Sequence, residues 1–191
     1  MRRLLWVGIF ACAYIQNTQA QIVIDSIGAK QAIAYLNKIR ASPASYANTL
    51  GIRELKNIQP KITLKENAIL RKVAEQRAMD LAVNNYFSHI NKNGEGVNIL
   101  LARAGYPIKE SSYKRKNSNY YESLSAGDMS PEEHIDNLII DEGVEPPLHR
   151  NHLLGLSEFW ENCTEIGIGL VKAPKTKYGA YMVVIIARPE F

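Results

Sequence analysis

Histidine and acidic side chains are the residues of this sequence best suited to chemistry at neutral pH. His89 lies in the segment YFSHINKNG, beyond a predicted helix, and its Ser, Asn and Gly neighbours are typical of a turn that could form a cleft wall. His149 lies in EPPLHRNHLL, where two prolines stiffen the approach to a short helical turn. Imidazole can act as a metal ligand or a general base near neutral pH. For either histidine alone, a surface position or a structural hydrogen bond is the commoner role.

Two acids fall at an unfavourable position of a predicted helix. Asp141 and Glu142 lie in its last turn, where the helix dipole disfavours a negative charge by about 0.3–1 kcal/mol. Acids placed there favour a positively charged or hydrogen-bonding partner. An ordinary ion pair with Arg150 or a lysine is the simplest explanation, and a functional site is the alternative; the residues alone leave both open.

The sequence lacks the short signatures of several common enzyme classes. It contains no HExxH zinc motif, no GxSxG nucleophile elbow, no glycine-rich phosphate loop and no CxxC pair. The 23 basic and 19 acidic residues give a formal net charge of +4, which does not imply nucleic acid as a partner. The basic cluster at 109–116 (KESSYKRK) is predicted to be a solvated loop.

The first twenty residues are typical of a secretory signal peptide. Two arginines precede an apolar run over 4–15, and polar residues then lead to Ala20, so the mature protein is expected to begin near Gln21 and to be secreted or extracytoplasmic. The apolar run is shorter than the roughly 20 residues that span a bilayer, and no membrane span is expected. Cys12 lies inside this run, and lipid anchoring there is the minor alternative.

Removal of the signal would leave Cys163 as the only cysteine of 21–191. An intramolecular disulfide is then excluded, and Cys163 is predicted to be a small buried hydrophobe near the start of a strand. The remaining length suits one core, so 21–191 is predicted to form a single domain.

Hydrophobic periodicity predicts helices over about 28–41, 65–84 and 97–104. Ser130 and Pro131 provide an N-cap and a first helical residue, with a capping-box glutamate following, and the helix they start is expected to end by Gly143. The polar stretch 109–119 has no periodicity and is predicted to be a loop.

Two apolar segments near the end of the chain predict strands. TEIGIGLV (164–171) and AYMVVIIA (180–187) are separated by about eight residues, too few for a crossover helix, so they should pair antiparallel. The second is apolar at nearly every position, which indicates that both of its faces are covered. We therefore predict an α+β fold, a three-layer α-β-α sandwich with a small antiparallel sheet between helices.

Six segments occur in an order that resembles one known family. They are LNKIRASPASYA, the long helix ending in YFSHINKNG, ILLARAGYP, YYESLSAGDMSPEEHIDNLIIDEGV, LHRNHLL, and TEIGIGLV with the last apolar strand. This series resembles the CAP superfamily (SCP domain; cysteine-rich secretory proteins, antigen 5 and pathogenesis-related 1) in a bacterial-type, cysteine-poor form. The resemblance covers nearly the whole mature chain.

The resemblance implies a cleft lined by two histidines and two acids. The family's histidines fall on His89 and His149, and its first acid falls on Glu122 in YYESLSAG. Its second acid falls on Asp141, with Glu142 as the off-by-one alternative. We call His89, Glu122, Asp141 and His149 the cleft tetrad.

Arg150, His134 and His152 are interpreted separately from the cleft tetrad. Arg150, next to the second cleft histidine, is a secondary candidate for the site. His134 and His152 do not match cleft positions and are interpreted as helix-surface residues.

The cleft tetrad permits two kinds of chemistry. His89 and His149 could bind a divalent cation, zinc before others, as some members of the family do. The same groups could instead transfer protons, with one histidine as the base and an acid orienting it. In a metal-dependent enzyme, Glu122 or Asp141 would be the catalytic residue that activates a metal-bound water.

The resemblance favours a secreted module, non-catalytic or weakly catalytic, that binds a cation and a lipid, peptide or glycan ligand. One alternative is a metal-dependent hydrolase that cleaves a peptide or cell-wall bond with metal-bound water. Another is a purely structural tetrad in an extracellular interaction module.

Overall fold

The computed structural model describes residues 21–190; the predicted signal peptide, Cys12 included, lies outside this range. The helices are α1 (Ser26–Ala41), α2 (Pro43–Tyr46), α3 (Ala68–Val83), α4 (Val97–Arg103), α5 (Glu110–Tyr113), α6 (Pro131–Ile140), α7 (Leu148–Leu154) and α8 (Glu158–Glu161), with a 3-10 helix at Arg53–Asn57. The strands are β1 (Val23–Ile24), β2 (Lys65–Glu66), β3 (Glu122–Ala126), β4 (Glu165–Ala173) and β5 (Gly179–Ala187). Within 21–190, no helix is long and apolar enough to cross a membrane.

The strands form one sheet in the order β1-β4-β5-β3. β4 and β5 pair antiparallel over their whole length, from Glu165 opposite Ala187 to Ala173 opposite Gly179, which confirms the predicted hairpin. β3 pairs antiparallel with β5 and lies at the end of that order. β2 adds a short parallel pairing to β4.

Helices cover both faces of the sheet. α3 packs directly on β4 and β5, while α1 contacts the opposite face of β4 near Leu170. α6 packs beside α1 and against β3, and the Tyr35 hydroxyl of α1 donates a hydrogen bond to Asp136 of α6 at 2.8 Å. The predicted three-layer α-β-α sandwich is confirmed.

Two glycines of β4 set the distance between α3 and the sheet. A Cβ atom at Gly167 would lie 2.2 Å from the backbone of Leu70, and one at Gly169 would lie 2.3 Å from the backbone of Ala74. These separations are far below van der Waals contact, so no larger side chain fits without displacement of the helix. The close approach fixes α3, which carries a residue that supports the candidate site.

The core confirms two further predictions. Every residue of β5 from Ala180 to Ala187 is buried, so the side chains on both of its faces are covered, while β3 and β4 pair along its two edges. Cys163 is completely buried, and burial raises the pKa of its thiol to about 11, so it is a packed apolar side chain rather than a nucleophile.

Local signals located α6 well, but one loop prediction was wrong. Ser130 caps α6, and its hydroxyl and the Glu133 carboxylate form the predicted capping box. The helix ends at Ile140, short of Gly143, because Asp141 turns into the left-handed region at φ 54°. The predicted loop 109–119 contains the single-turn helix α5.

Candidate functional site

The first half of the site joins the segment after α3 to the start of β3. His89 Nδ1 lies 3.0 Å from Glu122 Oε1, and the Glu122 side chain is completely buried while 39% of the His89 side chain is exposed. An ionised carboxylate can only accept hydrogen bonds, so Nδ1 carries the proton in this pair. The buried Glu122 carboxylate therefore orients the exposed ring through Nδ1, and Nε2 is the nitrogen available to a ligand.

A buried arginine of α3 that was not among the predicted site residues supports this pair. Arg77 of α3 is 2% exposed, and its Nε donates to Glu122 Oε2 at 3.1 Å. Its other nitrogens donate to Asp80, to the Tyr86 hydroxyl and, at 2.9 Å, to the carbonyl of Ser88. Arg77 thus fixes both the carboxylate under His89 and the backbone that precedes it.

The second half of the site joins the end of α6 to the first turn of α7. His149 Nδ1 lies 2.6 Å from Asp141 Oδ1, so this ring is also oriented by a carboxylate. Asp141 Oδ2 accepts the backbone N–H groups of His149 and Arg150, at 2.9 and 3.3 Å. The left-handed conformation of Asp141 turns its carboxylate toward the start of α7, where backbone donors are free.

The structure distinguishes the two acids and gives Arg150 a different partner. Asp141 is the buried acid that meets His149, whereas Glu142 is exposed and makes no hydrogen bond or ion pair within residues 21–190. The Arg150 guanidinium donates to the carbonyls of Ile139 and Ile140, both at 2.6 Å. It therefore caps the end of α6 instead of forming an ion pair with the acid.

The two halves meet. The His89 and His149 rings lie 6.3 Å apart, centroid to centroid, and are inclined by 24°. The fold thus brings all four members of the cleft tetrad together, with both histidines at the surface and both acids beneath them. No group of three or more His, Cys, Asp or Glu in the described part of the chain is arranged to hold a metal ion.

The interpretation of the other two histidines as helix-surface residues was wrong. His134 and His152 are buried, and their Nδ1 atoms pair with the hydroxyls of Ser125 and Ser123 at 2.8 and 2.7 Å. Burial lowers the pKa of His134 to about 4 and that of His152 to about 3, so both rings are neutral at pH 7. Each has an Nε2 atom without a hydrogen-bond partner in the described residues.

Comparison with known proteins identifies the fold. No family model matches this chain, and no curated protein matches it either. Among solved structures, an extracellular protein containing a SCP domain from Bacillus anthracis matches 84% of this chain with a TM-score of 0.53 and 19% identity. The chain has the fold of a SCP domain.

Two other solved structures accompany that match. An outer surface protein from Borrelia burgdorferi matches 89% of the present chain, and the match covers 100% of the Borrelia protein, with a TM-score of 0.54 and 17% identity. A cysteine-rich secretory protein from Staphylococcus aureus matches with a TM-score of 0.46 and 12% identity, over 86% of this chain. The present chain spans only 40% of the Bacillus chain and 40% of the Staphylococcus chain.

The SCP-domain fold explains how residues far apart in sequence reach one cleft. Arg77 and His89 belong to the α3 side of the sheet, whereas Asp141 and His149 belong to the layer of α6. Glu122 begins β3, the strand between these two groups. The resemblance detected in the sequence is therefore confirmed for the fold, while the roles of the four cleft residues remain predictions.

Proposed function

We propose that this chain is an extracytoplasmic SCP-domain protein whose cleft binds a divalent cation, zinc before others, through Nε2 of His89 and His149. The bound ion would present open coordination positions to a lipid, peptide or glycan ligand. The observation that carries the proposal is the paired arrangement of the rings, each held at Nδ1 by a buried carboxylate. Histidines that bind metal ions are commonly oriented in this way, by a carboxylate on the second ring nitrogen.

The donor set favours a cation that accepts imidazole nitrogen. Zinc, copper and nickel do so readily, whereas calcium and magnesium prefer oxygen ligands. Two histidines are fewer than the three protein ligands of most catalytic zinc sites. A cation held by His89 and His149 would therefore depend on water or an external ligand to complete its coordination, and it would supply a Lewis acid for that ligand.

The engagement of both carboxylates supports a binding role over hydrolysis. Glu122 accepts from His89 with one oxygen and from Arg77 with the other. Asp141 accepts from the His149 ring with one oxygen and from backbone N–H groups with the other. A general base must accept a proton from water, and neither acid has an oxygen without a protein donor. A metal-dependent hydrolase is therefore the second candidate.

Two observations support an extracytoplasmic location. The first twenty residues have the pattern of a secretory signal, with Cys12 offering a lipid anchor as the minor alternative. Two of the similar solved structures are described as an extracellular protein and an outer surface protein.

Calorimetric titration of the purified, metal-stripped protein with zinc, and then with calcium and magnesium, tests the proposal. We expect zinc to bind with one ion per chain and binding to be lost in both His89→Ala and His149→Ala. Asp141→Asn should weaken zinc binding by roughly 10–100-fold, because it removes the carboxylate that orients His149. Glu142→Gln is the matched control, since it makes the same chemical change one residue away on an exposed side chain.

Three results would count against the proposal. Zinc binding that persists in both histidine variants would place the ion elsewhere. Absence of binding to all three ions, together with a large drop in melting temperature for His89→Ala and His149→Ala, would favour a purely structural tetrad. Turnover of a peptide, lipid or cell-wall substrate that disappears in Glu122→Ala would favour the hydrolase.

A further inference from the structure

A groove of about 580 Å³ lies between α3 and α4. Ile69 and Val73 of α3 and Leu100 of α4 form an apolar floor, flanked by Ala68 and Ala104. The volume lies within the range of about 300–1,000 Å³ that is typical of small-molecule sites, which are mostly apolar with a few polar groups.

The polar groups around this groove are unequal in what they offer a ligand. Asp80 already accepts from Arg77, Tyr86 and Asn84, and the side-chain oxygen of Asn91 accepts two backbone N–H groups. These two side chains are therefore already engaged by protein donors.

Two side-chain donors of the lining, in contrast, have no protein partner in the described part of the chain. Lys72 and Gln76 lie one turn apart on α3, both exposed, and neither side chain makes a hydrogen bond or an ion pair with another residue of 21–190. Arg103 lines the opposite side, but its charge is matched by Glu95 at 2.7 Å. Lys72 is thus the cation of the lining whose charge no carboxylate in the described residues neutralises.

We propose that this groove binds a small organic anion with an apolar body. The body would lie on the floor formed by α3 and α4, and its acidic group would accept hydrogen bonds from Lys72 and Gln76. The one carboxylate of the lining, Asp80, is already engaged by three protein donors, so it offers little to a cation, whereas the charge of Lys72 is free to attract an anion. The chemistry of the lining therefore selects the anion.

This site is separate from metal binding at the cleft. Lys72 lies on the outer surface of α3 and contacts no member of the cleft tetrad, although Arg77 and Asp80 line the groove and Arg77 also supports Glu122. A Lys72 variant therefore leaves the zinc titration unchanged, and failure of one proposal does not entail failure of the other.

Two fluorescent probes that differ in a single group test the proposal on the purified protein. 1-Anilinonaphthalene-8-sulfonate has an apolar body and an anionic group, and N-phenyl-1-naphthylamine has the same body without the sulfonate. We expect one sulfonate probe to bind per chain, about tenfold more tightly than the neutral one. Lys72→Glu should remove that advantage, whereas Lys38→Glu, the same change on exposed α1, should preserve it. Ala104→Trp, which places a bulky indole at the flank of the groove, should abolish the binding of both probes.

Equal affinity for the two probes, or an unchanged advantage of the sulfonate in Lys72→Glu, would overturn the proposal. Binding of several probe molecules that survives Ala104→Trp would also overturn it, because such binding reports general apolar surface. Thermal melts of each variant distinguish a lost site from a lost fold.

Discussion

Replacement of Arg77 by methionine should destabilise the protein strongly, because it leaves a carboxylate buried without its cation. Arg77 is 2% exposed, and the Glu122 side chain with which it pairs is completely buried. Burial opposes the charged form of Arg77, but the charge and hydrogen bond of Glu122 outweigh it and hold the pKa of the guanidinium above its ordinary value. The native structure therefore depends on both charges being present.

The magnitude follows from this burial. Removal of one partner from a buried ion pair costs about 3–5 kcal/mol, and the Ser88 carbonyl would lose its donor as well. Since domains of this size are stable by about 5–15 kcal/mol, Arg77→Met should lose a large fraction of the free energy of unfolding. Arg71→Met on the same helix is the matched control: its side chain is 41% exposed and its ion pairs with Glu66 and Glu75 are open to solvent on that side, so it should lose less than about 1 kcal/mol.

Urea unfolding followed by circular dichroism measures these losses. A double-mutant cycle with Glu122→Gln isolates the pair, because the neutral amide does not need the cation. We expect the double variant to lose at least about 2 kcal/mol less than the sum of the single variants. The reasoning is refuted if Arg77→Met behaves like Arg71→Met, or if the losses of the two single variants simply add.

Two further predictions concern the buried histidines and the glycines under α3. The pKa values of His134 and His152 are lowered from 6.5 to about 4 and about 3, so the free energy of unfolding falls as the pH decreases from 6.5 toward those values, by about 2–3 kcal/mol per histidine at pH 4.5. Urea unfolding of the wild type and of His134→Leu at pH 7 and 4.5 checks this. An equal loss in both proteins would contradict it. Gly169→Ala should lower the free energy of unfolding by about 3 kcal/mol, because the methyl group of the alanine would lie 2.3 Å from the backbone of Ala74. A melting temperature equal to that of the wild type would show that α3 moves away without cost.

Local features were predictable because a few neighbouring residues determine them. Ser130, Pro131 and Glu133 specify the start of α6 through contacts within one turn, and the structure has that capping box. The β4–β5 hairpin followed from the short separation of two apolar segments. In both cases the deciding interactions span few residues.

Burial of polar residues was harder to predict, because it depends on which element covers them. Arg77 lies four residues from Val73 and from Leu81, within the apolar stripe of α3, and that position was a usable signal. His134 and His152 likewise adjoin buried apolar neighbours on their helices. A serine on β3 accommodates each of these rings, and a single helix pattern contains no information about that strand.

The cleft tetrad could not have been assembled from periodicity. Glu122 was identified only through the family resemblance, because an isolated acid at the start of a short strand has no distinguishing pattern. The choice between Asp141 and Glu142 required the backbone conformation, since the left-handed turn at Asp141 directs its carboxylate to His149.

The division of the cleft between two layers has a consequence for folding. Asp141 and His149 are eight residues apart, so their half of the cleft can form as soon as that segment is ordered. His89 and Glu122 are 33 residues apart and require Arg77 of a third segment, which is a slower, non-local assembly. Affinity for a probe ion held by both rings would arise only when the layers have docked. Binding of such an ion would therefore report the last step of folding. Spectroscopic probes of helix content would respond earlier, when the separate helices form.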